Sequence, residues 1–174
     1  MSKTKRIAIQ GAMLAIMLVF QTMKGISVFI TGPIVNIVLI TVTYYFGFSS
    51  GVLFSVIAPI TSFFITPNPI LKAVPAIVVF IALGNIVLCL FINLLKNRNL
   101  VLNLFVASTL KGLFMTLSIS LIIVSIATNS GVLAPPLAAA AKTSFSVIQF
   151  ATAYIASFIS YFVLKYFKFS NLTK

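Results

Sequence analysis

Residues 100–127 read LVLNLFVASTLKGLFMTLSISLIIVSIA, an apolar run broken by a single charge, Lys111. A helix of about 20 such residues crosses the roughly 30 Å hydrocarbon core of a bilayer. The run is far too long for a strand of a membrane barrel. Lipid offers no partner to exposed backbone groups, so a helix is the expected form. Segments of similar character fill the rest of the chain, at approximately 7–23, 32–48, 49–65, 70–95 and 136–167. Between them lie turn-forming residues: Thr31-Gly32-Pro33, Gly47-Phe48-Ser49-Ser50-Gly51, Thr66-Pro67-Asn68-Pro69, Lys96-Asn97-Arg98-Asn99 and Thr128-Asn129-Ser130-Gly131. The expectation is an all-α integral membrane protein, a single domain over residues 1–174 built as a bundle of six transmembrane helices.

Composition agrees with this reading. The chain is 61% hydrophobic and only 7% charged, whereas soluble domains hold about 25% charged residues, so too little polar surface remains to face water. A cleaved leader accounts for the first apolar run alone and is disfavoured because such runs continue through the chain. Asp, Glu and His are absent. That removes the common general bases, charged ligands for hard cations and any Ser-His-Asp arrangement, so no catalytic residue and no metal site is expected. The lone Cys89 lies within an apolar run and reads as packing. Proton relays through membranes usually use carboxylates or imidazoles, so uphill transport by this chain needs energy from elsewhere.

Six spans place both termini on one side. Lys3, Lys5, Arg6, Lys96, Arg98, Lys165, Lys168 and Lys174 fall on that side, against Lys24, Lys72 and Lys142 on the other. The positive-inside rule makes the termini cytoplasmic. Lys111 lies about 11 residues, roughly 16 Å, into its span and therefore near the midplane. A lysine there costs about 2.5–3.5 kcal/mol and is by default a functional-site hypothesis. With no acid in the chain, its compensation comes from backbone carbonyls, water, deprotonation or an anionic ligand; the alternative is a lysine that snorkels.

Ser108, Lys111, Met115, Ser118 and Ser125 recur at helical spacing, as do Lys142, Ser146 and Gln149. Asn36 and Asn85 are deep amides that either bind a ligand or tie helices together. Lys24, Lys72 and Lys142 above Lys111 form a positive funnel that favours an anionic solute, or else serve as headgroup anchors. In the first span, at 100° per residue, Leu14, Met17, Gln21 and Lys24 fall within about 40° of Gln10. Ala8, Ala12, Ala15 and Val19 occupy the opposite side, with Gly11 at its edge. The polar face is expected to look into the bundle. The small-residue face then looks outward, available to a closely packed external helix, the alternative being a neighbour within the same chain.

With these features the chain resembles a substrate-binding S component of the energy-coupling factor (ECF) class of ABC transporters, importers of vitamins and micronutrients. The resemblance is carried by the six-span size, the cytoplasmic termini, Ala8-x-x-x-Ala12 beside Gly11-x-x-x-Ala15, and Gly32-Pro33-Ile34-Val35-Asn36 at the opening of the second span. It implies a prokaryotic cell-membrane location and partners comprising a transmembrane T subunit and two ATPase subunits. Ala8, Gly11, Ala12 and Ala15 would contact the T subunit. It also implies a substrate site near the outer face, with Asn36, Lys72, Lys111, Lys142 and Gln149 in its general region; Gln21 and Lys24 join them from the polar face of the first helix. The partners expected are therefore these subunits, membrane lipids and a small, preferably anionic solute, with no cofactor and no nucleic acid. No Walker A pattern occurs in the chain, so ATP hydrolysis would belong to the partners. A stand-alone facilitator or channel is the competing reading.

Overall fold

Local chemistry sets the helix ends. The Ser2 hydroxyl accepts the Lys5 N–H, Asn68 accepts the N–H groups of Ile70 and Leu71 at 2.9 and 3.3 Å, and Asn99 accepts that of Val101 at 2.9 Å. Such side chains satisfy amides that have no partner within their own helix. Gly47, with φ of +93°, makes the tight link between two helices where a β-carbon would be strained.

The computed structural model describes residues 2–23, 28–65 and 68–166. In chain order these form α1 (Lys3–Thr22), α2 (Val28–Phe46), α3 (Phe48–Ile65), α4 (Pro69–Ala73), α5 (Ala76–Leu94) and α6 (Leu100–Met115). There follow a π-helical segment (Thr116–Ile123), α7 (Val124–Asn129), α8 (Pro135–Ser144) and α9 (Val147–Tyr166). The long helices alternate in direction. Arg6 donates to the Phe46 carbonyl, the Tyr45 hydroxyl reaches the Leu164 carbonyl at 3.5 Å, and the Lys96 ammonium lies 5.2 Å from the Tyr44 ring centre. These contacts gather one end of the bundle, here the proximal end, around the start of α1. The distal end holds the close of α1 and α3, the start of α2 and α9, and the short α4, α7 and α8.

Among the described residues, five helical stretches are long and apolar enough to cross a membrane: Phe29–Phe46, Phe48–Ile65, Ala76–Leu94, Leu100–Asn129 and Pro135–Tyr166. The fold is that of an all-α, multi-pass membrane protein. α1 is not among the five; it carries Lys3, Lys5, Arg6, Gln10 and Gln21.

Several boundaries differ from the sequence expectation. Thr31, Gly32 and Pro33 do not end a turn but lie inside α2. Gly32 is needed for close approach: a β-carbon there would come within 2.9 Å of the Thr152 methyl on α9. The run at 70–95 is divided at Val74-Pro75 and the run at 136–167 at Phe145-Ser146. The 100–127 run continues to Asn129 and changes helix type midway. Bonding i→i+5 widens each turn, so the polar stripe read at 3.6 residues per turn slips beyond Met115. Ser118 donates back to the Phe114 carbonyl, while Ser120, 3% exposed, reaches the Lys142 carbonyl at 3.2 Å.

Two apolar clusters fill the bundle. One centres on Met17, Leu39, Phe54, Leu88, Ile92 and Leu104, the other on Leu71, Ile77, Met115, Ile119, Leu133 and Phe145. Glycines set the spacing around them. A β-carbon on Gly51 would collide with the Thr43 hydroxyl and lie 3.1 Å from both Cβ and Sγ of Cys89, all three on helices that pack together. Gly51→Ala is expected to lower stability by about 1–3 kcal/mol through overpacking. Gly11→Ala, with nothing within 4 Å of the new methyl, should leave stability unchanged or raise it by up to about 1 kcal/mol. Thermal unfolding of the two variants in detergent compares these effects.

Candidate functional site

The centre of the molecule is a lysine held by two amides. Lys111, 3% exposed on α6, donates from Nζ to Asn36 Oδ1 on α2 at 2.5 Å and to Asn85 Oδ1 on α5 at 2.7 Å. Both asparagines are also buried. Hydrogen bonds to a charged group contribute about 1.5–3 kcal/mol each. Two of them together match or exceed the cost of about 2.5–3.5 kcal/mol for placing a lysine at mid-membrane. Side-chain amides thus add to the backbone carbonyls, water, deprotonation and anionic ligand expected to compensate Lys111. The signal was present, since an amide within an apolar span is a natural partner for another buried polar group.

This cluster forms the floor of a cavity of about 100 Å³ where the two apolar clusters meet. Val35, Ala58, Pro59, Leu71 and Ile81 contribute apolar wall; Gln21, Gln149 and Thr152 lie toward the distal end. Pro59 interrupts α3 at the wall. Having no N–H, it frees the Ser55 carbonyl from its usual i+4 bond.

Of the residues expected at a site, Gln21, Asn36, Lys111 and Gln149 come together around this cavity. Their roles differ. Gln21 ties α1 to α3, donating from Nε2 to the Ala58 carbonyl at 3.0 Å and accepting from the Thr61 hydroxyl at 2.8 Å. Gln149 spans the break between α8 and α9 by donating to the Ser144 carbonyl at 3.2 Å. Asn85 is the addition, a deep amide bonded directly to the lysine.

Lys72 and Lys142 are not part of the lining; both are exposed. The expected alignment of Lys142 with Gln149 fails because the helix breaks at Phe145-Ser146, which puts them on different helices. Lys72 sits in the short α4, whose inward positions are taken by Ile70 and Leu71. Lys24 lies outside the described residues. Of the lysines in the expected positive funnel, the described lining of the cavity holds Lys111.

The first helix has the two faces expected of it. Met17 and Gln21 are buried, Gln10 and Leu14 half-buried, and Ala8, Gly11, Ala12 and Ala15 exposed.

The class defined by this geometry is a multi-pass helical membrane protein with a small, largely apolar cavity that has a polar floor. Comparison with family models, with curated proteins and with solved structures finds no match for the chain.

Coupling within the cluster is measurable. Asn85→Leu removes one of the two acceptors and should cost about 1–3 kcal/mol, because Lys111 stays buried with a bond missing. Lys111→Met in that background should recover most of the loss, since the unsatisfied donor is gone. A double-mutant cycle by thermal or denaturant unfolding in micelles gives the coupling; additive effects would mean that the two side chains do not act together.

Proposed function

We propose that this protein is the membrane-embedded solute-binding subunit of an ATP-driven importer of the energy-coupling factor type, taking up a small anionic vitamin or related micronutrient. In this reading all six long helical passes cross the cell membrane of a prokaryote, α1 included, and both termini are cytoplasmic. The distal end is then the outer face, and the cavity is approached from outside. A separate T subunit and two ATPase subunits supply the energy.

The observation that carries the reading is the pairing of two features on opposite sides of α1. Its polar face closes against α3 through Gln21 beside the cavity, while Ala8, Gly11, Ala12 and Ala15 form an exposed strip on the outside. A binding protein that works alone has no use for such a strip. Small residues at this spacing let a neighbouring helix approach closely in lipid, where van der Waals contact drives association. Lys111 supports the choice of an anion, since the chain has no acid with which to neutralise it.

The test is a detergent pull-down of the wild type and of Ala12→Trp from cells coexpressing a compatible T subunit and its ATPases. The wild type should recover the module, and the indole should abolish recovery and uptake while ligand binding stays within about twofold. Failure of both folded proteins to recover a compatible module would favour a stand-alone facilitator and return the alanine strip to lipid contact.

A further inference from the structure

We propose that the Lys111 cavity selects a compact monocarboxylate: one carboxylate on a small apolar body, bound with the carboxylate on the Lys111–Asn36–Asn85 floor. The inference rests on the solute-binding reading and narrows its ligand class by charge number and shape.

Hydrogen-bond inventory is the first argument. An ammonium has three donors, and Lys111 directs two of them to Asn36 and Asn85. Each asparagine spends its oxygen on the lysine, and its amide nitrogen has no acceptor among the described residues. The floor therefore has donors left over. A carboxylate, with two oxygens and about four lone-pair sites, matches such a set. A primary amide offers one oxygen and brings N–H groups of its own to a floor already rich in donors.

Charge is the second argument. Lys111 is the only cation among the described lining residues, since Lys72 and Lys142 are exposed elsewhere. One negative charge on the ligand is matched. A second would lie between the apolar wall of Val35, Ala58, Leu71 and Ile81 and the uncharged Gln21, Gln149 and Thr152, with no counter-charge. A ligand ammonium fares no better, because the chain contains no Asp or Glu to receive it. Dianionic phosphate esters, dicarboxylates and zwitterions are all disfavoured. Size is the third: about 100 Å³ suits a solute of roughly ten non-hydrogen atoms or fewer, well under the 300–1,000 Å³ of sites for larger ligands.

The experiment uses the full chain in nanodiscs of uncharged lipid, titrated calorimetrically with two matched triads: propionate, propionamide and malonate, then butyrate, butyramide and succinate. In at least one triad the monocarboxylate should bind at least tenfold more tightly than its amide and its dianion, a difference of about 1.4 kcal/mol. Lys111→Met should reduce that preference to less than about threefold, and the folded state of the variant is checked by its thermal transition. An amide or dianion that binds as tightly as the monocarboxylate overturns the charge assignment while leaving solute binding intact. Silence of both triads into the millimolar range also overturns it, and the partner pull-down then decides separately whether the importer reading survives.

Discussion

With no acid in the chain, the side chains that hold the buried Lys111 are amide dipoles, and that constraint organises the bundle. Asn36, Asn85 and Lys111 come from α2, α5 and α6, which fixes the rotation of three helices about one point. The helices must present these positions inward whatever their apolar residues prefer. Sheathing by Leu, Ile and Val alone specifies depth poorly, because lipid tails are as apolar as the core. The lysine and its amides supply a register that greasy surfaces lack. The same groups form the floor of the cavity, so the feature that orders the interior also defines what can enter it.

Close approach is the second organising device. Gly32 faces Thr152, Gly51 faces Thr43 and Cys89, Gly84 faces Met115, and Gly112 faces the Phe150 ring. At each place a neighbouring side chain occupies the position of the missing β-carbon. Among the described glycines inside helices, Gly11 stands apart, with nothing near it. Internal packing explains the first four and leaves Gly11 and its alanine neighbours without a role inside the bundle, which is why the proposed partner contact rests there.

The broad architecture was legible because its cause is local. Apolar length and turn residues mark a multi-pass helical protein, and the 100° periodicity of residues 8–21 oriented α1 correctly. Lys111 could be singled out because one charge in an apolar run has no local explanation. What stayed hidden depended on departures from a straight α-helix. The π segment moved Ser120 rather than Ser118 into the interior, and the break at Phe145-Ser146 separated Lys142 from Gln149. Gly32-Pro33 looked like a boundary because its partner, Thr152, is distant in sequence. The bonds from Lys111 to Asn36 and Asn85 cross intervals of 75 and 26 residues, which no periodicity reports.

The π-helical segment gives the pass from Leu100 to Asn129 an unusual relation to chain length. In an α-helix, losing one residue turns everything beyond it by about 100°, enough to carry an inward side chain toward the lipid. A π segment already holds surplus residues in its wider turns. Between Thr116 and Ile123, a one-residue deletion can be absorbed by tightening those turns, with the helices on either side keeping their facing. This stretch lies just beyond the lysine's own helix and outside the cavity lining, so a change of length there leaves the Lys111 floor in place.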